Sequence, residues 1–105
     1  VQCGQVTFAA RNSTVDGVKI RKNDILGMRG SEILCTGKDI NTVAKEVVHQ
    51  MIHDDAGVIT LYYGDGIEKA QAEDLEQELK KHYEYLDVSL IYGGQPVYYY
   101  FIAVE

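Results

Sequence analysis

Residues 57–92 leave the fold the least freedom. The run Val58–Tyr63 (VITLYY) reads as a six-residue strand with apolar residues on both faces, and Gly64-Asp65-Gly66 ends it. A helix is expected over Ile67–Tyr83, with Ile67, Ala70, Leu75, Leu79 and Tyr83 as a thin apolar stripe among acids and lysines. Leu86–Tyr92 follows as a second strand, and Gly93-Gly94-Gln95-Pro96 closes it. Strand, helix and strand in that order form a βαβ unit, whose strands run parallel with a right-handed crossover. A parallel strand that is apolar all round is expected to be covered on both faces. The two glycine-bearing loops both follow the carboxyl ends of parallel strands. They therefore share one rim of the sheet, the place where open α/β sheets receive ligands and partners.

The other elements extend this unit. Ile40, Val43, Ala44, Val47, Val48, Met51 and Ile52 recur at helical spacing, with Asp39 or Asn41 as a cap and Gly57 beyond the end. Upstream, Gln5–Ala10 reads as a strand, and Arg11–Gly17 as a polar stretch ending in the turn pair Asp16-Gly17. Val18–Ile20 alternates, and Ile25–Arg29 and Glu32–Thr36 flank Gly30-Ser31 as a tight hairpin. The last run, Val97–Val104 (VYYYFIAV), is apolar on both faces and is expected inside the sheet, antiparallel to the strand before it. The expected fold is α/β, an α+β-like mixed sheet of one βαβ unit plus antiparallel strands with two helices, as a single domain over residues 1–105. The start at Val1, without methionine, suggests a fragment of something longer.

Charge narrows the partners. The formal net charge of the 105 residues is −6, which disfavours nucleic acid and anionic membrane, since both need clustered Lys and Arg. No apolar run approaches the ~20 residues of a membrane helix, so no membrane insertion is expected. The charge is uneven. Residues 1–45 hold seven basic and four acidic side chains, whereas residues 46–105 hold three and twelve. Cys3 and Cys35 lack the spacing of a redox or zinc motif, and two reduced thiols in a cytoplasmic protein are expected.

Each candidate site has a plainer reading beside it. His49 and His53 in HQMIH stand at i and i+4, as in a zinc helix, but Gln50 replaces the general-base glutamate and no third ligand is evident. Two solvated histidines and no metal are expected. The glycine loops match neither GxGxxG nor GxxxxGK[ST], and Asp65 and Glu68 would repel an anion at the helix start, so tight turns are preferred to a phosphate cradle. Ser13, Ser31 and Ser89 sit on no nucleophile elbow, and no catalytic residue is identified. Tyrosine is the enriched type, eight in all, with Tyr62, Tyr63, Tyr92, Tyr98, Tyr99 and Tyr100 on the inferred strands beside the rim. About half are expected in the core and half exposed, with Tyr63 and Tyr98 presented at the rim.

The ending Val88–Glu105 (VSLIYGGQPVYYYFIAVE) resembles the carboxyl terminus of the FakA/YloV family of fatty acid kinases, once labelled DAK phosphatase or dihydroxyacetone kinase-like. Tyr92–Tyr98 (YGGQPVY) and the closing Val104-Glu105 carry the likeness most specifically. Thr7–Arg11, Asp16-Gly17 followed by Ile20–Lys22, and Tyr63–Asp65 extend it over most of the chain. One departure is Tyr99, where the family usually has proline. The resemblance implies a C-terminal domain of a larger cytoplasmic protein, with ATP and magnesium in that protein's N-terminal domain and no cofactor in this one. The partner it implies is a DegV-like fatty-acid-binding subunit, whose bound carboxylate is phosphorylated to an acyl phosphate for phospholipid synthesis. The expected role is non-catalytic docking of that partner, alongside contacts with other domains of the parent chain. Gly64, Asp65, Gly93, Gly94, Gln95 and Pro96 would shape the edge, and Tyr63 and Tyr98 would anchor it. The alternatives are a small-ligand or enzymatic domain binding a phosphorylated or acyl compound at the same rim, and a dimerisation module.

Overall fold

Six strands join in one mixed sheet in the computed structural model, which describes residues 1–105. In chain order the elements are β1 (Gln2–Phe8), β2 (Ser13–Val15), β3 (Val18–Ile20), β4 (Ile25–Arg29), β5 (Glu32–Gly37), α1 (Ile40–Met51), β6 (Val58–Tyr63), α2 (Lys69–His82), β7 (Asp87–Tyr92) and β8 (Tyr100–Val104). The sheet runs β5-β4-β1-β8-β6-β7, and β2 and β3 form a separate two-stranded ribbon. Only β6 and β7 pair in parallel, as the βαβ reading requires; the other pairs are antiparallel.

The first helix forms where its stripe predicts. Asp39 caps it, accepting from the Thr42 N–H at 2.9 Å and the Thr42 hydroxyl at 2.8 Å. Val43, Ala44, Val47, Val48 and Met51 are buried, each larger side chain contributing roughly 1.5–3 kcal/mol by leaving water. The helix lies close on the sheet because β4 offers it bare backbone. A Cβ on Gly27 would stand 2.4 Å from Val47 Cγ2, so Val47 occupies the space a side chain would need. Ala72, Leu75 and Leu79 seat α2 beside it. Both helices pack against Val6, Ile59, Leu61, Val88, Tyr100, Ile102 and Val104 in one core.

One buried polar chain joins the layers. Tyr100 is fully buried, and its hydroxyl donates to Asn41 Oδ1 at 2.8 Å. Asn41 Nδ2 in turn donates to the Gln71 carbonyl at 3.0 Å. Asn41 is thus a bridge between the helices and the sheet, and Asp39 is the cap. Burial pushes the Tyr100 phenol well above its usual range, with the carboxylates of Asp39 and Asp74 adding to the shift.

Several expectations are corrected. β6 is covered on one face only: Ile59 and Leu61 are buried beneath the helices, while Thr60 and Tyr62 on the opposite face are half-buried. The opposite, helix-free face carries Thr60 and Tyr62, and there Tyr62 and Phe101 stand as a register pair. β1 starts at Gln2, not Gln5, because Gln2–Val6 pairs with Val104–Tyr100 from the far end of the chain. It ends before Ala9, whose N–H donates to the Asp24 carbonyl at 2.8 Å. Ser13–Val15, expected as loop, pairs with Val18–Ile20 across Asp16-Gly17, where both φ angles are positive (50° and 80°). Gly30 likewise has φ +61°, in keeping with the expected Gly30-Ser31 hairpin.

Candidate functional site

The rim is built by the parallel register. Tyr63 pairs with Tyr92, so Gly64 and Gly93 leave the sheet at one level. Tyr100 pairs with both Tyr63 and Val6, which brings the end of β1 and the start of β8 to the same border. The two glycine loops therefore meet, as their sequence positions require.

They are stapled together by backbone. The Gly64 N–H donates to the Tyr99 carbonyl at 2.9 Å, and the Asp65 N–H to the Gln95 carbonyl at 3.1 Å. The Gly93 and Gly94 N–H groups both donate to the Tyr63 carbonyl, at 2.9 and 3.2 Å. Gln95 adds a side-chain link, its Nε2 donating to the Tyr62 carbonyl at 3.0 Å. This crossing needs a residue without a side chain at its centre. A Cβ on Gly64 would lie 2.4 Å from the Tyr98 carbonyl oxygen and 2.6 Å from that of Gln95.

The second loop extends further than the sequence indicates. Val97–Tyr99, expected as the start of the last strand, belongs to it. The Tyr98 N–H donates to the Pro96 carbonyl at 2.7 Å, and Val97 between them has φ +70°. That is the strained, positive-φ γ-turn, rare for any residue and most costly for a β-branched one. Surrounding bonds hold it: the Thr7 hydroxyl donates to the Val97 carbonyl at 3.1 Å, and the Tyr99 N–H to the Val6 carbonyl at 2.8 Å. Val97 is nonetheless 60% exposed.

Aromatic rings flank these loops. Tyr63 and Tyr92 lie 5.1 Å apart between centroids, with Tyr63 half-buried against the core and Tyr92 60% exposed. Tyr98 stacks on Phe101 at 5.0 Å, bringing an aromatic pair to the helix-free face. Asp65, Gly93 and Pro96 are exposed, Gly94 and Gln95 half-buried, and Gly64 buried. Of the six strand-end tyrosines only Tyr100 is a fully buried core residue. Tyr92, expected beside the rim, is joined there by Thr7, Val97 and Phe101, which were not expected as contact residues. Strand alternation signals Phe101, which opposes the inward Tyr100 and Ile102; nothing local signals a valine at positive φ.

The histidine pair is not brought together as a helical pair. α1 ends at Met51 and Ile52 is already extended, so His53 lies off the helix that carries His49. His49 instead borders a cleft of about 600 Å³ between α1 and α2, with Lys45, His82 and Tyr83 among its walls. There its Nδ1 lies 3.4 Å from the Tyr83 hydroxyl, and burial pushes the Tyr83 phenol up. Cys3 and Cys35 are free thiols; Cys3 is exposed on β1, whereas Cys35 packs against the core beneath α1. Burial raises the Cys35 thiol, with Glu46 adding to the shift.

The same 105 residues match known proteins from end to end. The model of the FakA-like C-terminal family, which describes the C-terminal region of fatty acid kinase proteins like FakA, matches residues 1–105. The chain belongs to this family. It is 35% identical over 105 residues to protein YloV of Bacillus subtilis (strain 168) and 31% identical to an uncharacterized protein of Staphylococcus aureus (strain MRSA252). Each match covers 100% of this chain and 19% of the relative. The chain thus spans about a fifth of the length of the curated relatives it matches. The resemblance drawn from Tyr92–Tyr98 and Val104-Glu105 is borne out at the level of the family. The structure puts most of that motif on the rim, in the loop stapled to Gly64 and Asp65. No helix is long and apolar enough to cross a membrane.

Proposed function

We propose that this chain is a non-catalytic docking module of a fatty acid kinase, which positions the DegV-like fatty-acid-binding subunit for acyl phosphate formation. One observation carries the reading: the loop Gly93–Tyr99 is locked by hydrogen bonds from three other segments while it holds a strained, exposed valine, and aromatic pairs flank it. Strain kept at an exposed position by surrounding structure marks functional surfaces. Aromatic anchors on a rigid frame are what an interface needs, since little entropy is lost when they are covered. Gly64, Asp65, Gly93, Gly94, Gln95 and Pro96 shape the edge, and Tyr63 and Tyr98 anchor it, with Tyr92 and Phe101 beside them. Backbone, one carboxylate, one amide and phenol rings suit contact rather than bond-making. ATP and magnesium are assigned to another domain of a longer cytoplasmic protein.

Isothermal titration of the chain against the fatty-acid-binding partner tests this. Tyr98→Ala is expected to weaken binding by about tenfold or more, the cost of truncating an aromatic anchor, and Tyr98→Phe to retain most of it. Equal affinity for Tyr98→Ala, or no binding by the parent chain, overturns the proposal.

A further inference from the structure

The β2–β3 ribbon carries a second surface of different chemistry. Its register pairs Ser13 with Ile20 and Thr14 with Lys19. Side chains alternate along a strand, so Thr14 and Lys19 share their face with Asn12 and Arg21, while Ile20 turns to the other face and is buried. Ile20 anchors the ribbon, and the outward face presents an amide, a hydroxyl, an ammonium and a guanidinium. Directly opposed pairs on such a face stand ~5 Å apart and diagonal ones ~7–8 Å, so the four groups can reach a common point. They line a cavity of about 520 Å³ that contains no acidic residue. An adjoining groove of about 310 Å³ shares Lys19 and Arg21 and adds Lys38 and Asp24.

These donors are unspent. The ion pairs of the molecule are Arg29–Glu32, Lys38–Asp24, Lys45–Glu78 and Lys80–Glu76, leaving Lys19 and Arg21 without a carboxylate. Asn12 accepts from the Lys22 N–H at 2.8 Å through Oδ1, which leaves its Nδ2 to donate. Of the two nearby acids, Asp24 is engaged by Lys38 and by the Arg21 backbone N–H at 2.9 Å, and Asp16, in the ribbon turn, forms no ion pair with Lys19 or Arg21. Two cations side by side repel unless an anion lies between them, and a guanidinium fork beside an ammonium matches oxyanion geometry. A carboxylate presents two oxygens to such a set; a phosphoryl group presents three or four.

We propose that Asn12, Thr14, Lys19 and Arg21, flanked by Lys38, form a binding site for a phosphoryl oxyanion on the outward face of the β2–β3 ribbon. This site stands apart from the docking reading and does not rest on it. The test is a heteronuclear NMR titration of the 105-residue chain in phosphate-free buffer at ~150 mM salt, an ionic strength that screens non-specific attraction. Inorganic phosphate, a nucleoside triphosphate and glycerol phosphate are added separately, and the tightest identifies the source of the group. Saturable shifts at residues 12–21 and 38 are expected. Lys19→Ala/Arg21→Ala is expected to weaken binding at least about tenfold, and Lys69→Ala/Lys81→Ala, the same charge removed from α2, to change it by less than about twofold. The same spectra show whether each variant is folded. Absence of saturation, equal weakening by both double variants, or shifts produced only by a polyglutamate peptide overturns the proposal, the last in favour of a protein-docking patch.

Discussion

Two structures rise from the same border of the sheet and solve opposite problems. The Gly93–Tyr99 loop is held by backbone bonds to β1 and to the β6–α2 turn, and its exposed surface is aromatic. The β2–β3 ribbon is held at its base, by Ile20, by the Asp24 carboxylate and by the paired bonds Ala9 N–H to Asp24 and Asn23 N–H to Ala9, and its exposed surface is cationic. The loop gains rigidity from contacts distant in sequence, so it can hold a conformation its residues would not choose. The ribbon gains its shape from a local turn, and its side chains remain free to meet a charge. Rigidity and charge are thus separated within one rim.

The largest effect on this contrast is expected at Gly64. Gly64→Ala drives a methyl into two carbonyl oxygens and should destabilise the chain by about 3 kcal/mol, read as a lower urea midpoint. Removing the buried link beneath the rim comes next. Tyr100→Phe leaves Asn41 Oδ1 without its donor and should cost about 1–2 kcal/mol, measured in the same way. Gly17→Ala, at φ +80° in the ribbon turn, should cost about 1 kcal/mol. Its effect should be confined to faster amide exchange in Ser13–Ile20, with the rim amides unchanged. Val97→Gly approaches the contrast from the other side. It relieves the positive-φ strain, so the melting temperature should hold or rise slightly, while affinity for the partner proposed above should fall because the loop is no longer fixed.

The smallest effect is in acid. The Asp24 carboxyl is held below its usual range, first by Lys38 and then by the Arg21 N–H. A depressed folded value means that the stabilisation is complete above the unfolded value of about 3.9 and is lost as pH falls through the folded one. Asp24→Asn should therefore flatten the stability profile below about pH 4, with the ribbon amides losing protection before those of the rim. The sign is the same for Asp39, whose cap bonds to Thr42 lower it.

Much of this was legible in the chain. The stripe from Ile40 to Ile52, the strand Val58–Tyr63 and the parallel partner read as Leu86–Tyr92 follow from hydrophobic period and glycine punctuation, which act within a few residues, and the structure shortens the first and last by one residue each. The meeting of Gly64-Asp65-Gly66 with Gly93–Pro96 followed from chain direction alone, because parallel neighbours must end on the same side. The Tyr92–Tyr98 motif was legible as a family likeness but not as a shape. Its valine adopts a backbone angle that local propensity opposes, and only Thr7, ninety residues away, and the neighbouring β1 backbone make that angle tenable.

Residue order alone settled the two helices and the central strands, where the two glycine turns lie, and that the positive charge gathers before residue 46. Contacts between distant segments settled which faces stay bare. Both helices lie on one side of the sheet, so the Thr60–Tyr62 face of β6 is left without a helix, and β1 pairs with β8, from the opposite end of the chain, to complete the rim. The division has a physical cause. Period, capping and turn chemistry are local energies of about a kcal/mol or less, written residue by residue. Strand order, one-sided coverage and tolerated strain depend on the sum of contacts between segments far apart in sequence, which exists only once the chain has closed on itself.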